Sequence, residues 1–296
     1  MAIRAYEKVK MDLTILPGEE CHLPDVCMHL LSVGALWAVH GQVESCKAAA
    51  EKGADPYWRA VDGHSCPPVI SDEEFRRQVM EIADRIGPLP ENIDPYTYAA
   101  CIWVWDHIRA ADGLAVFPHP FWIVRNVLSV PEAMTEYLFK TKPFDAFELI
   151  GGEHYLDKNE FQVYKYGNLR MQGMDAPVIG SSDSHGSTEN NPKAHVGATI
   201  VFARKNERRE RIDSVKAQYD VCVDHISPEY RLAGDFRFVQ FGRFLMDYYF
   251  PLHDELCFEE DRLMKAYATG SEENAEQLLS LLSGRCDKLL RKYFAY

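Results

Sequence analysis

Residues 114–120, LAVFPHP, carry a four-residue apolar run straight into a Pro-His-Pro turn, and residues 178–185, VIGSSDSH, run in the same way into an Asp-x-His. Short apolar runs bounded by turn residues have the length and composition of buried strands. Comparable runs occupy residues 13–16 (LTIL), 146–150 (AFELI), 196–202 and 219–223. Longer helical patterns separate some of them. Over residues 72–86, Phe75, Val79, Ile82 and Ile86 share one helical face, Ser71 and Glu74 form a capping box, and Gly87–Pro88 ends the pattern. A second helix opens at Asp94–Pro95 and runs to Ala111, ahead of Gly113. Strands alternating with helices predict an α/β fold with a largely parallel sheet. From about residue 234 the strand pattern stops. Residues 1–233 are therefore expected to form an α/β domain and 234–296 an α-helical extension, whose last helix starts at Ser271 and ends on Lys288, Arg291 and Lys292.

Charge and composition exclude several functions. Against 32 Lys and Arg stand 45 Asp and Glu, a net charge of −13, which argues against a general nucleic-acid binder because phosphate neutralisation needs cations. No apolar run approaches the roughly 18 residues of a membrane span, and the N-terminal residues lack a signal-type apolar core. The eight cysteines are scattered without a CxxC pair, and Cys101 and Cys222 sit in apolar stretches as small core residues. This pattern predicts a reduced, cytoplasmic protein. Nothing in the sequence speaks to oligomeric state.

Three segments place metal-type ligands where strands are predicted to end. LTIL leads into Glu19 and Glu20, with His29 nine residues beyond Glu20; LAVF leads to His119; VIGS leads to Asp183 and His185. Catalytic and binding groups of α/β folds gather at the carboxyl ends of parallel strands. Asp183 and His185, two apart, point to one side in extended backbone. Imidazole nitrogen with carboxylate oxygen suits Zn, Mn or Fe. Taken singly, an Asp-x-His is more often a turn and a His-Pro more often a loop; their joint occurrence favours a metal site. Arg125, after His119, is a candidate phosphate-binding residue, Glu148 a strand-end acid or an orienting group, and His22 a rival to His29. His40, His64, His107 and His253 belong to no constellation.

LTILPGEE with MHLL, then DGLAVFPHPF, FDAFELI, VIGSSDSHGST and VGATIVFA resemble, in that order, the PHP (polymerase and histidinol phosphatase) superfamily over about residues 5–225. The resemblance implies a distorted seven-stranded (β/α) barrel, here incomplete at its N-terminus. It implies a metal-dependent phosphoesterase, with one to three Zn, Mn or Fe ions and a small phosphorylated substrate. By position, Glu20 resembles the carboxylate that bridges two metals, and His29 and His119 the histidines that complete one metal site. Asp183 resembles a ligand of the neighbouring site and His185 a ligand of the third; catalysis would depend most on this pair. Members of the superfamily open with a His-x-His strand and two further histidines. Only 16 residues precede Pro17 here and none is histidine, so a chain shortened at its N-terminus is expected. One site would be complete on the protein side, a second half-built, and the third reduced to His185. The alternative is a non-catalytic, degenerate PHP-like module that keeps part of a metal site; amidohydrolase chemistry is a third option.

Overall fold

The computed structural model describes residues 14–26, 28–51, 59–61, 63–124, 127–151, 156–183, 197–225 and 231–294. In chain order the strands are β1 (Gly18–Cys21), β2 (Leu30–Val33), β3 (Leu114–Phe117), β4 (Ile123–Val124), β5 (Val127–Leu128), β6 (Ala146–Ile150), β7 (Val178–Gly180), β8 (Gly197–Val201), β9 (Asp220–Asp224) and β10 (Arg231–Gly234). The α-helices are α1 (Glu44–Glu51), α2 (Asp72–Ile86), α3 (Pro95–Ala110), α4 (Glu132–Thr141), α5 (Leu156–Met171), α6 (Arg208–Lys216), α7 (Phe236–Phe244), α8 (Phe250–Thr269), α9 (Ala275–Leu282) and α10 (Arg285–Tyr293). Two compact units divide the chain, one of Leu16–Phe238 and one built chiefly from Val239 onward.

The first unit is mixed α/β. Its main sheet runs β1-β2-β3-β6-β7, and β10-β9-β8 form a second sheet. Only β3/β6 and β6/β7 are parallel; β1/β2, β2/β3 and the whole second sheet are antiparallel. This corrects the expectation of a largely parallel sheet. Residues 22–29 alone join β1 to β2, too few for the crossover a parallel pair needs. Residues 14–17 are not a strand either: pairing starts at Gly18, after Pro17, which has no N–H to give a ladder. Among the described residues the strands close no ring, so the seven-stranded barrel is not seen there.

Strand alternation splits the apolar residues into two layers. Cys21, Leu30, Ala115, Phe117, Phe147 and Val178 face one cluster, shared with Phe75 and Val79 of α2 and Trp103 and Trp105 of α3. Leu114, Val116, Ala146 and Ile179 face the other, against Ile212 and Val215 of α6. Helix α2 begins where Ser71 Oγ accepts from Glu74 N–H at 3.1 Å and stops at Gly87, whose φ of 78° few side chains tolerate. Asp94 caps α3 by accepting from Thr97 N–H at 2.8 Å, and Trp105 Nε1–H donates to Val116 O at 3.2 Å, tying α3 to β3. Asp145 ties the next link: it accepts from Ala115 N–H and Arg109 Nε–H, both at 3.0 Å.

The second unit is helical. A π-helical turn, Leu245–Tyr249, leads into α8. The last helices are two, broken at Gly284 (φ 78°), and Asn274, not Ser271, precedes α9. Ser271 Oγ instead accepts from the Thr269 hydroxyl at 2.9 Å. No helix among the described residues is long and apolar enough to cross a membrane.

Candidate metal centre

Register builds the site. Glu20 of β1 stands opposite Leu31 of β2. His29, two residues before Leu31, is its diagonal neighbour on the same face. Continuing the ladder past Cys21↔Leu30 puts His22 opposite His29, and their rings lie 4.3 Å apart. Cys21 and Leu30 alternate to the other side and are wholly buried. His119 arrives from β3, two residues past Phe117, with φ of 22°. That turn breaks the strand alternation and brings the imidazole to the Glu20 face, 6% exposed and stacked on Trp122 at 4.2 Å.

Glu20, His29 and His119 each offer one ligand atom, and these atoms lie within 4.8 Å of one another. Glu20 Oε1 is 2.5 Å from His29 Nδ1 and 3.5 Å from His119 Nε2. Glu20 Oε1 and His29 Nδ1 are both buried, yet neither finds a well-aligned hydrogen bond despite their short separation. A cation shared by the carboxylate and the imidazole nitrogens would satisfy both buried atoms. The donor set, one carboxylate oxygen and two imidazole nitrogens, matches zinc centres with three protein ligands and an open position.

A buried carboxylate supports the centre. Glu148, 1% exposed, accepts from the His119 backbone N–H at 3.2 Å and from the Ser181 hydroxyl. Gly151 leaves room for it: a Cβ there would sit 2.7 Å from Glu148 Cδ. Burial raises the Glu148 pKa, against the pull of His119. Burial also works against the charge on Glu20, but its contacts with His119 and His29 prevail and hold it well below the usual carboxylate range. At His119 burial opposes the proton, while Glu20, Glu148 and Asp183 outweigh it and raise the pKa. The centre is thus poised for positive charge.

Other predicted residues fall differently. Asp183, in the left-handed region at φ 48°, acts electrostatically on His119 and Glu148 but stands outside the ligand group. His185 and Arg125 lie outside the described residues. Two histidines set aside or ranked second in the sequence adjoin the centre. His22 Nε2 is 3.8 Å from Glu20 Oε2, and His22 N–H donates to His40 Nδ1 at 3.1 Å. Burial, then His22, lowers the His40 pKa. Glu19 points away from Glu20 and accepts from the backbone N–H groups of Val39 and His40. No sequence spacing links His40 to Glu20; only the β1–β2 hairpin and the turn after it do.

Known proteins add little to this geometry. No protein-family model matches the sequence, and no curated protein matches it. The chain is similar to a crystal structure from Bacteroides vulgatus, a two-domain protein containing a predicted PHP-like metal-dependent phosphoesterase. The TM-score is 0.37 and the sequence identity 12%; the match covers 70% of this chain and 44% of that one, so the chain spans less than half of the structure it is similar to.

Proposed function

We propose that the chain is a metal-dependent phosphoesterase of PHP type, acting on a small phosphorylated substrate. The observation that carries this reading is the convergence of Glu20, His29 and His119 beside the buried Glu148. Zn, Mn or Fe would be held by Glu20 Oε1, a His29 nitrogen and His119 Nε2. A divalent ion there would supply Lewis acidity to a phosphoryl oxygen and lower the pKa of water. The chain's own groups do the rest. Glu148 fixes the His119 backbone, Trp122 fixes its ring, and Asp183 adds negative charge at the end of β7. A PHP-type barrel, a second ion near Asp183 and a third near His185 belong to the same proposal, as does phosphate binding by Arg125.

A second reading, a degenerate module that keeps one ion without turnover, is favoured by one observation: Asp183 stands outside the ligand group. Metal content by mass spectrometry, with p-nitrophenyl phosphate turnover in added Mn or Zn, separates the two. Metal-dependent turnover lost in Glu20→Gln supports the hydrolase; bound metal with no turnover supports the module. The cytoplasm is the compartment we propose, since the seven described cysteines form no disulfide.

A further inference from the structure

A second group of ligand-type side chains lies wholly within the helical unit. His253 and Cys257 are four residues apart on α8, and Glu260 follows three later, so all three share a helix face. Cys286, in the first turn of α10 after the Gly284 break, meets that face. Cys257 Sγ lies 3.8 Å from Cys286 Sγ and 3.5 Å from His253 Nε2, and Cys286 Sγ lies 3.9 Å from Glu260 Oε2. Ligand atoms of His253, Cys257 and Cys286 fall within 4.8 Å of one another. Cys286 and Glu260 are each 6% exposed, so a thiol and a carboxylate are both withdrawn from water here.

These separations match the edges of a metal tetrahedron. Ligands at about 2.3 Å (sulfur) and about 2.0 Å (nitrogen) from a tetrahedral zinc stand about 3.8 Å apart for two sulfurs and about 3.5 Å for sulfur and nitrogen. Two sulfurs 3.8 Å apart are too far for the roughly 2.05 Å bond of a disulfide. Cys257 Sγ lies 3.6 Å from His253 Nδ1 and 3.5 Å from Nε2, and Asp254 Oδ1 lies 3.4 Å from Nδ1.

We propose that His253, Cys257 and Cys286 form a three-ligand site for a thiophilic divalent ion of the zinc class, one that clamps α8 to α10, with the buried Glu260 beside Cys286. Binding releases the two thiol protons to solvent and forms two metal–sulfur bonds, with no change of oxidation state. Its two thiols come from two helices of one unit, and none of its residues belongs to the Glu20 centre.

Cobalt tests it on the full chain, stripped with chelator and kept reduced. Titration with Co(II) is expected to raise near-ultraviolet thiolate-to-cobalt charge-transfer absorption with the visible bands of a tetrahedral ion. Zinc should abolish both. The signal should vanish in the Cys257→Ser/Cys286→Ser double variant and persist in Glu20→Gln, whose centre has no thiolate ligand. On the unaltered chain, zinc should protect two thiols from alkylation, mapped by peptide mass to Cys257 and Cys286. No charge-transfer band, a band unchanged in the double variant, or protection mapping to other cysteines overturns the site. A Cys257–Cys286 disulfide that forms in air and is not blocked by zinc overturns it equally.

Discussion

Gly151→Ala tests the support beneath His119. The new Cβ would lie 2.7 Å from Glu148 Cδ and Oε2 and 3.0 Å from Oε1, where ordinary contact begins near 3.4 Å. The carboxylate must therefore retreat by roughly 0.7 Å. It has nowhere free to go: it is buried, held by the His119 N–H and the Ser181 hydroxyl, and the Glu148 carbonyl is itself bonded to Gln162. Overpacking costs about 1–3 kcal/mol, and straining a hydrogen bond to a carboxylate adds about 1 kcal/mol or more. The sum, about 2–4 kcal/mol, is a large part of a typical domain's stability and should lower the urea midpoint by about 1 M at unchanged slope. His119, released from Glu148, should bind zinc about 10–100-fold more weakly, the usual effect of losing an outer partner. Gly167→Ala is the control: nothing lies within 4 Å of its Cβ, and alanine inside α5 should stabilise by about 0.5–1 kcal/mol. A Gly151→Ala chain with wild-type midpoint and zinc affinity would refute the support role of Glu148.

Three further outcomes follow from the same geometry. Glu20→Gln removes the charge facing His29 and His119, so zinc affinity by calorimetry should fall by more than about tenfold; an unchanged affinity would sink the centre. Asp183→Asn should lower phosphoester turnover about 100-fold without moving the melting temperature, because asparagine also tolerates the left-handed backbone at φ 48°; unaltered metal-dependent turnover would remove Asp183 from the reaction. Asp220, buried in β9, has its pKa pushed up to about 8 by burial, so between about pH 4 and 8 the folded chain holds a proton that the unfolded chain has lost. Stability should then be greatest below that window and fall with rising pH by up to about 1.4 kcal/mol per unit; urea melts in which Asp220→Asn keeps the wild-type slope would contradict this.

How much was legible depends on whether a signal is local. β3, β6 and α2 occur over the ranges read from sequence, since an apolar run before a Pro-His-Pro and a capped, periodic helix need no distant partner. The β1–β2 hairpin was not legible. Gly18-Glu-Glu-Cys has neither alternation nor β-branched residues, and what makes it a strand is pairing with Leu30–Val33. The approach of Glu20 to His29 follows from that register. The sequence spacing of nine residues conveys nothing of it, which is also why His22 was read only as a rival to His29 and His40 was not read as a neighbour of the centre at all. His253 escaped for the same reason: the second thiol grouped with it and Cys257 is that of Cys286, on another helix.

A sheet that is only partly parallel still gathers the candidate ligands at one edge, and the reason is directional. Strands β1, β3, β6 and β7 present their carboxyl ends there, with Glu20, His119, Ile150 and Gly180 close to those ends. β2 runs the other way, so the same edge receives its amino end, and His29 lies one residue before Leu30. Expecting each ligand to follow a strand is wrong for His29 in sense and right in place. Alternation then sorts the faces: Glu20 shares its side with Leu31, as Glu148 shares its side with Ala146, whereas Cys21 and Phe147 enter the aromatic core. Acids therefore collect on one face of one edge. Burial raises the pKa of Glu148 there, while the neighbours of Glu20 and His119 lower the one pKa and raise the other. A divalent ion there would supply the positive charge that these acids favour.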